Sequence, residues 1–342
     1  MRHRRNGHRH LLRGAIGLAL IAFTACGSTI TLTATSSSGG TNTTCDPSTL
    51  TSYTYLMAFH ACSSECSDPS NHTIYMAGSN DGTTWSLISN FTGLAGSVPD
   101  IIFYNDFLYL FHAGSTTKSW AKLNACFTVV EEGTATISGT DSGGFVDPSL
   151  IQSGTELQLF YLPGVTGADP ASCTSYPCTK EIHSATATNS TLTTFTQQSG
   201  NRSELSLSSG TFSDPDIVAR TDGTYLLYVS SGQSTYVFTG TALSSTFASP
   251  DGTTPRAISS LMGGVPSGIE VSNEVWIYVT TNSGGREIIR RAVSSDGTTT
   301  LSSSAFTTVL DNSISSNFSS ATSVSSPSII TWPGSTWSRA AE

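Results

Sequence analysis

The chain has 342 residues, of which only 11% are charged, and 24 acidic residues outnumber 15 basic ones to give a formal net charge of −9 at pH 7. A protein with this net negative charge repels the phosphate backbone of nucleic acids. Nucleic acid is therefore not an expected partner. Its length and an apolar content of 37% suffice for one large domain with a buried core.

The first 25 residues have the pattern of an export signal. Arginines between positions 2 and 13 precede an apolar stretch, residues 15–23, that is too short to span a bilayer. Small residues then lead to a cysteine at the end of the run Phe23 to Cys26, which resembles a bacterial lipobox. The resemblance implies that Cys26 is the lipidated N-terminus of a protein anchored in the bacterial cell envelope, either periplasmic or surface-exposed. The alternative is an ordinary signal peptide cut nearby, with Cys26 a plain thiol.

Residues 26–44 are dominated by Ser, Thr and Gly, a composition that is typical of a flexible tether. The globular part is expected over residues 45–342 and contains six cysteines, an even number that favours disulfides in an exported protein. The expected pairs are Cys62 with Cys66, Cys173 with Cys178 and, by elimination, Cys45 with Cys126. A metal site at the first pair is the alternative, but no pair of histidines stands beside it at ligand spacing.

A short phrase centred on proline recurs five times and predicts the fold. The five copies contain Pro99, Pro148, Pro215, Pro266 and Pro327. After a turn, each of the first four is followed by an aromatic and β-branched run, and no stretch with helical periodicity separates the copies. Strand-turn-strand units repeated at intervals of 49, 67, 51 and 61 residues are typical of radial β architectures.

The two ends of the repeat array predict how the ring closes. The first aromatic run, residues 53–59, has no proline phrase ahead of it, and the last phrase, residues 327–330, has little chain behind it. The C-terminal strand is therefore expected to supply the missing strand of the first blade, which removes two open sheet edges. The sequence predicts an all-β chain that folds as a five-bladed β-propeller closed by a C-terminal strand.

The segment from Ser79 to Trp85 reads Ser-Asn-Asp-Gly-Thr-Thr-Trp and resembles the Asp-box of sialidases and related propellers. In that turn the Asp side chain caps backbone amides and the Trp packs between strands. Residues 294–299 form a second copy without the Trp. Because the Asp-box lies at the blade periphery in those families, Asp81 and Trp85 are expected to be structural.

In blade number and in its Asp-Pro phrases, the globular part resembles glycoside hydrolase family 43 and its relatives. The resemblance implies that carboxylates from different blades converge at one end of the axis, as a base Asp, an Asp that tunes a pKa and an acid Glu. Asp147 matches the base and Asp214 the tuning Asp. Asp100, a further catalytic candidate, and Asp216, a candidate substrate contact, lie two residues later in the phrase and should face the same way.

The acid is the least regular of these positions. The family's Glu usually stands two residues before the proline, where this chain has Gly264 in the fifth blade. Glu270, four residues after Pro266, is the nearest substitute and the expected acid. His60 and His112 end consecutive aromatic runs in matching Phe-His-Ala contexts and are candidate sugar contacts. A structural role in a turn or a blade interior is the alternative for each of these residues.

Two functions fit this pattern. The first is a lipid-anchored, extracytoplasmic propeller that binds or hydrolyses carbohydrate at its axial pocket, with a glycan and, through the anchor, a membrane as partners. The second is a non-catalytic surface lipoprotein that serves as a binding or adhesion platform. No cofactor is predicted, and a calcium ion on the axis is left open. Fold alone does not choose between the two functions.

Overall fold

The computed structural model describes residues 52–113, 118–141, 144–164, 171–187, 192, 194–252 and 255–333. Within these ranges the chain forms strands joined by turns and three short 3-10 segments, Pro69–Asn71, Ser303–Ala305 and Asn312–Ile314. No helix in this described part of the chain has the length and apolar character needed to cross a bilayer.

The strands form five sheets arranged as blades. The first blade contains β1 (Tyr55–Cys62), β2 (Thr73–Ser79), β3 (Ser86–Leu87) and β4 (Leu94–Ala95). The second contains β5 (Ser97–Tyr104), β6 (Phe107–Ala113), β7 (Trp120–Leu123) and β8 (Val129–Gly133). The third contains β9 (Thr136–Ser138), β10 (Phe145–Ser153), β11 (Glu156–Pro163), β12 (Cys178–Ala187), β13 (Thr194–Gln197) and β14 (Ser203–Leu207). The fourth contains β15 (Ser213–Ala219), β16 (Tyr225–Ser231), β17 (Ser234–Gly240) and β18 (Arg256–Ser259). The fifth contains β19 (Gly264–Val271), β20 (Glu274–Ser283), β21 (Arg286–Ser294) and β22 (Thr307–Leu310).

The last strand, β23 (Ser323–Thr331), closes the ring. It pairs antiparallel with β1, with Tyr55 opposite Thr331 and Ala58 opposite Ser328, and it becomes the innermost strand of the first blade. The predicted five-bladed propeller and its closure by the C-terminal strand are both confirmed. Sharing one blade between the two ends of the repeat array removes the free edges that an open array would expose.

Apolar side chains fill the spaces between neighbouring blades. Each sheet is covered on both faces, so both sets of alternating side chains are buried, and β1 is buried along its whole length. Leu56 of the first blade packs with Leu110 of the second, and Tyr228 of the fourth packs with Ile277 of the fifth. The aromatic and β-branched runs of the sequence are therefore the second strands of the blades, buried on both sides.

The residue before each proline has the same unusual backbone in all five blades. Its φ lies between +46° and +53°, in the left-handed region that L-residues rarely adopt, at Val98, Asp147, Asp214, Val265 and Ser326. At each of these places the pairing with the second strand shifts register, as in a β-bulge. We refer to these five residues as the rim. Because β-branched Val occupies two positions, the strain belongs to the repeated fold rather than to one functional residue.

The residue after each proline forms a closed ring of hydrogen bonds around the axis. The side-chain oxygen of each accepts from a backbone N–H of the next innermost strand, at 2.7–3.1 Å. The five acceptors, which we call the belt, are Asp100, Ser149, Asp216, Ser267 and Ser328. The corresponding donors are the amides of Leu150, Ile217, Gly268, Ile329 and Ile101. The belt therefore ties every blade to the next through a short polar side chain.

Disulfides close two loops at the ends of strands. Cys62 is bonded to Cys66 and Cys173 to Cys178, with Cα–Cα distances of 5.6 and 6.4 Å, which confirms both local pairs. Cys126 is also disulfide-bonded. Its expected partner, Cys45, lies outside the described residues.

Two Asp-capped turns join neighbouring blades. The Asp81 carboxylate accepts from the amides of Thr83 and Thr84, both at 2.7 Å, and Asp296 caps the second turn in the same way. Gly82, at φ +69°, lies so close to Trp276 that a side chain there would collide with the indole ring. These contacts give Asp81 a structural role, while the kinship of the turn with the sialidase motif stays a prediction.

Candidate functional site

The rim places the carboxylate of Asp147 against the backbone amide of Asp214 on the neighbouring blade. The Asp214 amide donates to Asp147 Oδ2 at 3.3 Å, and the Ser213 hydroxyl donates to Asp214 Oδ2 at 2.6 Å. Glu287, at the start of β21, is close enough for its charge to act on Asp214. All three acidic residues are partly exposed, although the Asp214 carboxyl group itself has lost its hydration. The rim therefore holds a group of acidic residues that border the solvent.

Asp214 is the rim carboxyl whose titration is most altered. Loss of hydration raises its pKa to about 6, and the negative charge of Glu287 acts in the same direction, against the stabilising bond from Ser213. A carboxyl group in this state keeps its proton into the weakly acidic range. It can therefore act as a proton donor at a pH where an ordinary Asp cannot.

The register of the blades explains why the two rim Asp residues differ from the other rim residues. Three rim amides donate to a polar side chain of the preceding blade's second strand: Val98 to His60 at 3.3 Å, Val265 to Ser230 at 3.2 Å and Ser326 to Thr280 at 2.9 Å. In the second and third blades the matching residues are Ala113 and Leu162, whose side chains cannot accept. Both Asp residues follow these apolar substitutions, and the Asp214 amide uses Asp147 as its acceptor instead.

Asp100 and Asp216 belong to the belt and are buried, with 6% and 7% of their surface exposed. Asp100 accepts from the Leu150 amide at 2.7 Å and from the Ser328 hydroxyl at 2.6 Å. Burial raises the pKa of Asp100 to about 7, and burial together with the charge of Asp100 raises the pKa of Asp216 well above its usual range. Their prediction as catalytic and substrate-binding residues finds no support in this geometry, because both carboxyl groups do what Ser does in the other three blades.

Glu270 does not meet Asp147. It lies five residues beyond the rim position of its own strand, roughly 16 Å along at about 3.3 Å per residue. There its carboxylate accepts from Arg220 Nε at 3.3 Å and from the Thr221 amide, and only 5% of its side-chain surface is exposed. A neutralised carboxylate at this depth cannot serve as the acid of a site at the rim.

His60 and His112 are not equivalent, although both stand in Phe-His-Ala. The pairing places Asp100 opposite Phe111 but Ser328 opposite Ala58, so the two motifs are offset by one residue relative to the belt. Both histidines are buried, which removes them as direct sugar contacts. His60 accepts the Val98 amide through Nδ1 and therefore donates from Nε2 to the Ser325 hydroxyl, at 2.6 Å.

Burial, with the nearby His72, lowers the pKa of His60 to about 3, so the ring is neutral. His112 donates from Nδ1 to the carbonyl of Ala113 at 3.3 Å, and its buried Nε2 has no hydrogen-bond partner among the described residues. Burial also lowers the pKa of His112. Both histidines thus belong to the blade interior.

Three large aromatic side chains on the second strands of the blades are engaged in packing. Tyr161 and Tyr228 are completely buried between blades, and Tyr228 donates to the carbonyl of Gly297 at 2.8 Å. Trp276 packs under the guanidinium of Arg291, 4.1 Å from its ring centre. These rings stabilise blade contacts.

Sequence reasoning missed Glu287. Its position is set by the β20–β21 hairpin, in which Glu287 pairs with Asn282, just beyond the level of the rim. No spacing in the sequence marks that level, because it depends on the register of two strands. Among the described residues, no set of three His, Cys, Asp or Glu side chains is arranged to hold a metal ion.

The structural neighbours of this chain are five-bladed propellers of glycoside hydrolase family 43. The endo-arabinanase from Bacillus licheniformis matches with a TM-score of 0.46 and 16% identity, over 62% of this chain and 76% of that one. The α-L-arabinanase from Cellvibrio cellulosa, complexed with arabinohexaose, matches with a TM-score of 0.45 and 12% identity, over 70% and 88%. An exo-β-1,3-galactanase from Phanerochaete chrysosporium, with β-1,3-galactotriose, matches with a TM-score of 0.41 and 13% identity, over 63% and 49%.

No protein-family model matches the chain, and no curated protein sequence does. The chain spans about half the length of the galactanase. At these identities and TM-scores the likeness carries no conclusion about the activity of this chain.

Proposed function

We propose that the rim is a carbohydrate site equipped for glycosidic hydrolysis. The observation that carries the proposal is Asp214, a partly exposed residue whose desolvated carboxyl group has its pKa raised to about 6, near the charge of Glu287, and whose backbone amide donates to Asp147. Acid and base catalysis at a glycosidic bond requires one carboxyl group that keeps its proton and a second that is ionised. The belt carboxyl groups, buried and bonded, do not meet that requirement.

In this proposal Asp214 takes the role of the acid and protonates the oxygen of the leaving group. Asp147 acts as the base that activates a water molecule, as the sequence predicts. Glu287 keeps the proton on Asp214 through its negative charge and stabilises positive charge that develops on the sugar ring. The acid therefore comes from the Asp-Pro phrase of the fourth blade, while Glu270 has no part in the reaction.

The test is a screen of aryl pentosides, aryl hexosides and neutral polysaccharides with four proteins: wild type, Asp147→Asn, Asp214→Asn and Glu274→Gln. Glu274 is exposed at the opposite hairpin of the fifth blade and is the matched control. We expect both Asp variants to lower kcat by about 100-fold or more and the control to leave it unchanged. Turnover that survives Asp214→Asn undiminished contradicts the assignment of the acid.

The second candidate, a non-catalytic binding platform, has two observations in its favour, the first of which is that Glu270, the expected acid, is paired with Arg220. The second is that one carboxylate oxygen of Asp147 accepts a hydrogen bond from the Asp214 amide, as it would in a purely structural Asp. Retained glycan binding without turnover on any substrate would support the platform and reject hydrolysis.

The proposal includes export and a lipid anchor at Cys26, which lies outside the described residues. It rests on the signal-like N-terminus and the Ser-, Thr- and Gly-rich segment that follows it. Changing Cys26→Ser should move the protein from the membrane fraction to the soluble fraction of the producing bacterium. Unchanged fractionation would show that another feature holds the protein to the membrane.

A further inference from the structure

The third blade contains a cavity of about 610 Å³ to which neither the rim nor the belt contributes a described residue. It lies where β12 changes partner. β12 pairs with β14 as far as Ile182 and with β13 from Ala185 onwards, so the ladder is interrupted at His183. The chain between β13 and β14, residues 198–202, loops out opposite this interruption and forms one wall. Gly139 and Thr140 contribute another part of the lining.

A charged network surrounds His183 at this cavity. Nδ1 of His183 contacts Asp141 Oδ2 at 2.7 Å, and Nε2 contacts Glu181 Oε2 at 3.1 Å. Asp141 also accepts from the Tyr161 hydroxyl at 2.6 Å and from Gln197 Nε2 at 2.9 Å. With two acidic side chains around one histidine, the network has a net negative charge.

Several polar groups that line the cavity have a donor or acceptor position without a side-chain partner among the described residues. Glu181 Oε1 and Asn201 Oδ1 are acceptors, the Gln198 side-chain amide is a donor, and the Ser199 hydroxyl is both. None of these four groups makes a side-chain hydrogen bond within the described part of the chain, although the opposite atoms of Glu181, Gln198 and Asn201 do. Three of the four side chains are therefore held in place while one face remains available.

We propose that this cavity binds one sugar unit of a neutral glycan. A ligand with several adjacent hydroxyl groups can donate to the carboxylate and the amide oxygen and accept from the amide N–H₂ at once. The net negative charge opposes uronates, sulfates and phosphates. The volume lies in the usual range for small-molecule sites. The chemical class that fits is thus a neutral, polyhydroxylated ligand.

The cavity lies at the same end of the blade as the rim. His183 pairs with Tyr161, and Tyr161 is opposite the bulge that contains Asp147. Two strand spacings of about 4.8 Å separate β12 from β10, so His183 and Asp147 are roughly 10 Å apart laterally. One glycan chain can span that distance and gain affinity from both contacts. This link rests on the proposed function of the rim, whereas binding in the cavity does not.

The test uses isothermal titration calorimetry on the full mature chain carrying Asp214→Asn, so that turnover cannot consume the probe. The probes are arabinohexaose, xylohexaose and laminarihexaose, with hexagalacturonate and a glucosamine hexamer as charged counterparts. Glu181→Ala removes the carboxylate acceptor, and Ser199→Trp fills the cavity from an exposed position whose backbone contact to Arg202 is kept. Glu156→Gln, exposed at the opposite hairpin of the same blade, is the matched control.

We expect at least one neutral hexasaccharide to bind, its affinity to fall by about tenfold or more in both cavity variants, and the control to leave it unchanged. Circular dichroism checks folding, and Ser199→Trp decides the outcome if Glu181→Ala fails to fold. The inference is overturned if no neutral probe binds, if neither variant weakens binding, or if only the glucosamine hexamer binds. Absence of turnover by the wild type on every substrate, with binding in the cavity intact, would reject the proposed rim chemistry alone.

Discussion

The belt and the rim residues lie on either side of the same proline, but their side chains have different roles in the five blades. In the belt every blade supplies an acceptor, and Asp and Ser are interchangeable because either oxygen receives the next strand's amide. In the rim the backbone is the same in all five blades, but only two of the residues carry a carboxyl group. An Asp in a repeated fold is thus a functional candidate only where the equivalent residues of the other blades do not all make the same structural hydrogen bond.

Solvent exposure differs less sharply between the two rings. Asp100 and Asp216 are buried, whereas Asp147 and Asp214 are partly exposed residues. Burial raises the pKa of both belt Asp residues and of Asp214. A raised pKa therefore does not distinguish function from structure here. The distinction rests on whether the other blades use the same position for a shared hydrogen bond.

Removing β23 should have the largest effect, because this strand contributes Ser326 to the rim and Ser328 to the belt. A chain ending at Thr322 loses both residues and exposes the edge of β1. We expect it to lose cooperative unfolding in urea, whereas a chain ending at Pro333 should unfold like the wild type. A native-like transition in the shorter chain would contradict closure by β23.

Replacing a belt Asp by Ser should stabilise the protein at alkaline pH. In the folded state the pKa of Asp100 is raised to about 7 and that of Asp216 is raised further, so the folded protein binds protons more tightly than the unfolded chain. Their contribution is fully present below a pH near 4 and is lost as the pH rises through the folded pKa values. Asp216→Ser, which copies three other blades, should raise the free energy of unfolding at pH 8.5 and leave it unchanged at pH 4.

Urea unfolding of Asp216→Ser at the two pH values measures this difference. Ser267→Asp is the converse variant, and it should lose stability at pH 8.5 because it buries a third carboxyl group in the belt. Equal effects of Asp216→Ser at both pH values would show that the Asp216 carboxyl group does not titrate as its burial requires.

These two rings also show where sequence reasoning succeeds and where it ends. The proline phrase, its spacing and the orphan phrase at Pro327 are local patterns, and they predict the five blades and their closure. The belt depends on which atom of Asp100 meets which amide of the neighbouring blade, and no pattern within one strand reveals that contact. The offset between His60 and His112 is likewise a matter of pairing register, because identical tripeptides can stand one residue apart relative to a bulge.

Glu287→Gln should shift the pH dependence of any turnover without changing stability much. Removing the negative charge beside Asp214 lowers the pKa of that carboxyl group from about 6, so the acid loses its proton at a lower pH. Activity that falls as the pH rises through this value should then fall earlier, by a few tenths of a pH unit or more. A profile of kcat against pH, compared with Glu274→Gln, measures the shift. If the fall of kcat at high pH stays at the same pH in Glu287→Gln, then Glu287 does not set the pKa of the catalytic acid.

The smallest effect is expected at His112, which lies between the belt and the rim on the second strand of its blade. The other blades fill this position with apolar or aromatic side chains, namely Phe59, Tyr161, Val229 and Val279. Within the part of the chain that the structure describes, the buried Nε2 of His112 has no partner, and an unmet acceptor of this kind costs about 1–3 kcal/mol. His112→Phe should therefore raise the free energy of unfolding by about 1 kcal/mol at pH 8, since the weak bond to Ala113 is lost in exchange.

The pH dependence and a matched variant test that explanation. Burial lowers the pKa of His112, so the ring's contribution to stability is present above a pH near 6.5 and is lost as the pH falls. The advantage of His112→Phe should accordingly grow between pH 8 and pH 5. His60→Phe is the control with the opposite sign, because both of its ring nitrogens are bonded and its loss leaves the Val98 amide and the Ser325 hydroxyl unpaired. If His112→Phe destabilises the protein as much as His60→Phe does, then His112 Nε2 has a partner in solution, and a donor such as a buried water must be sought between the first and second blades.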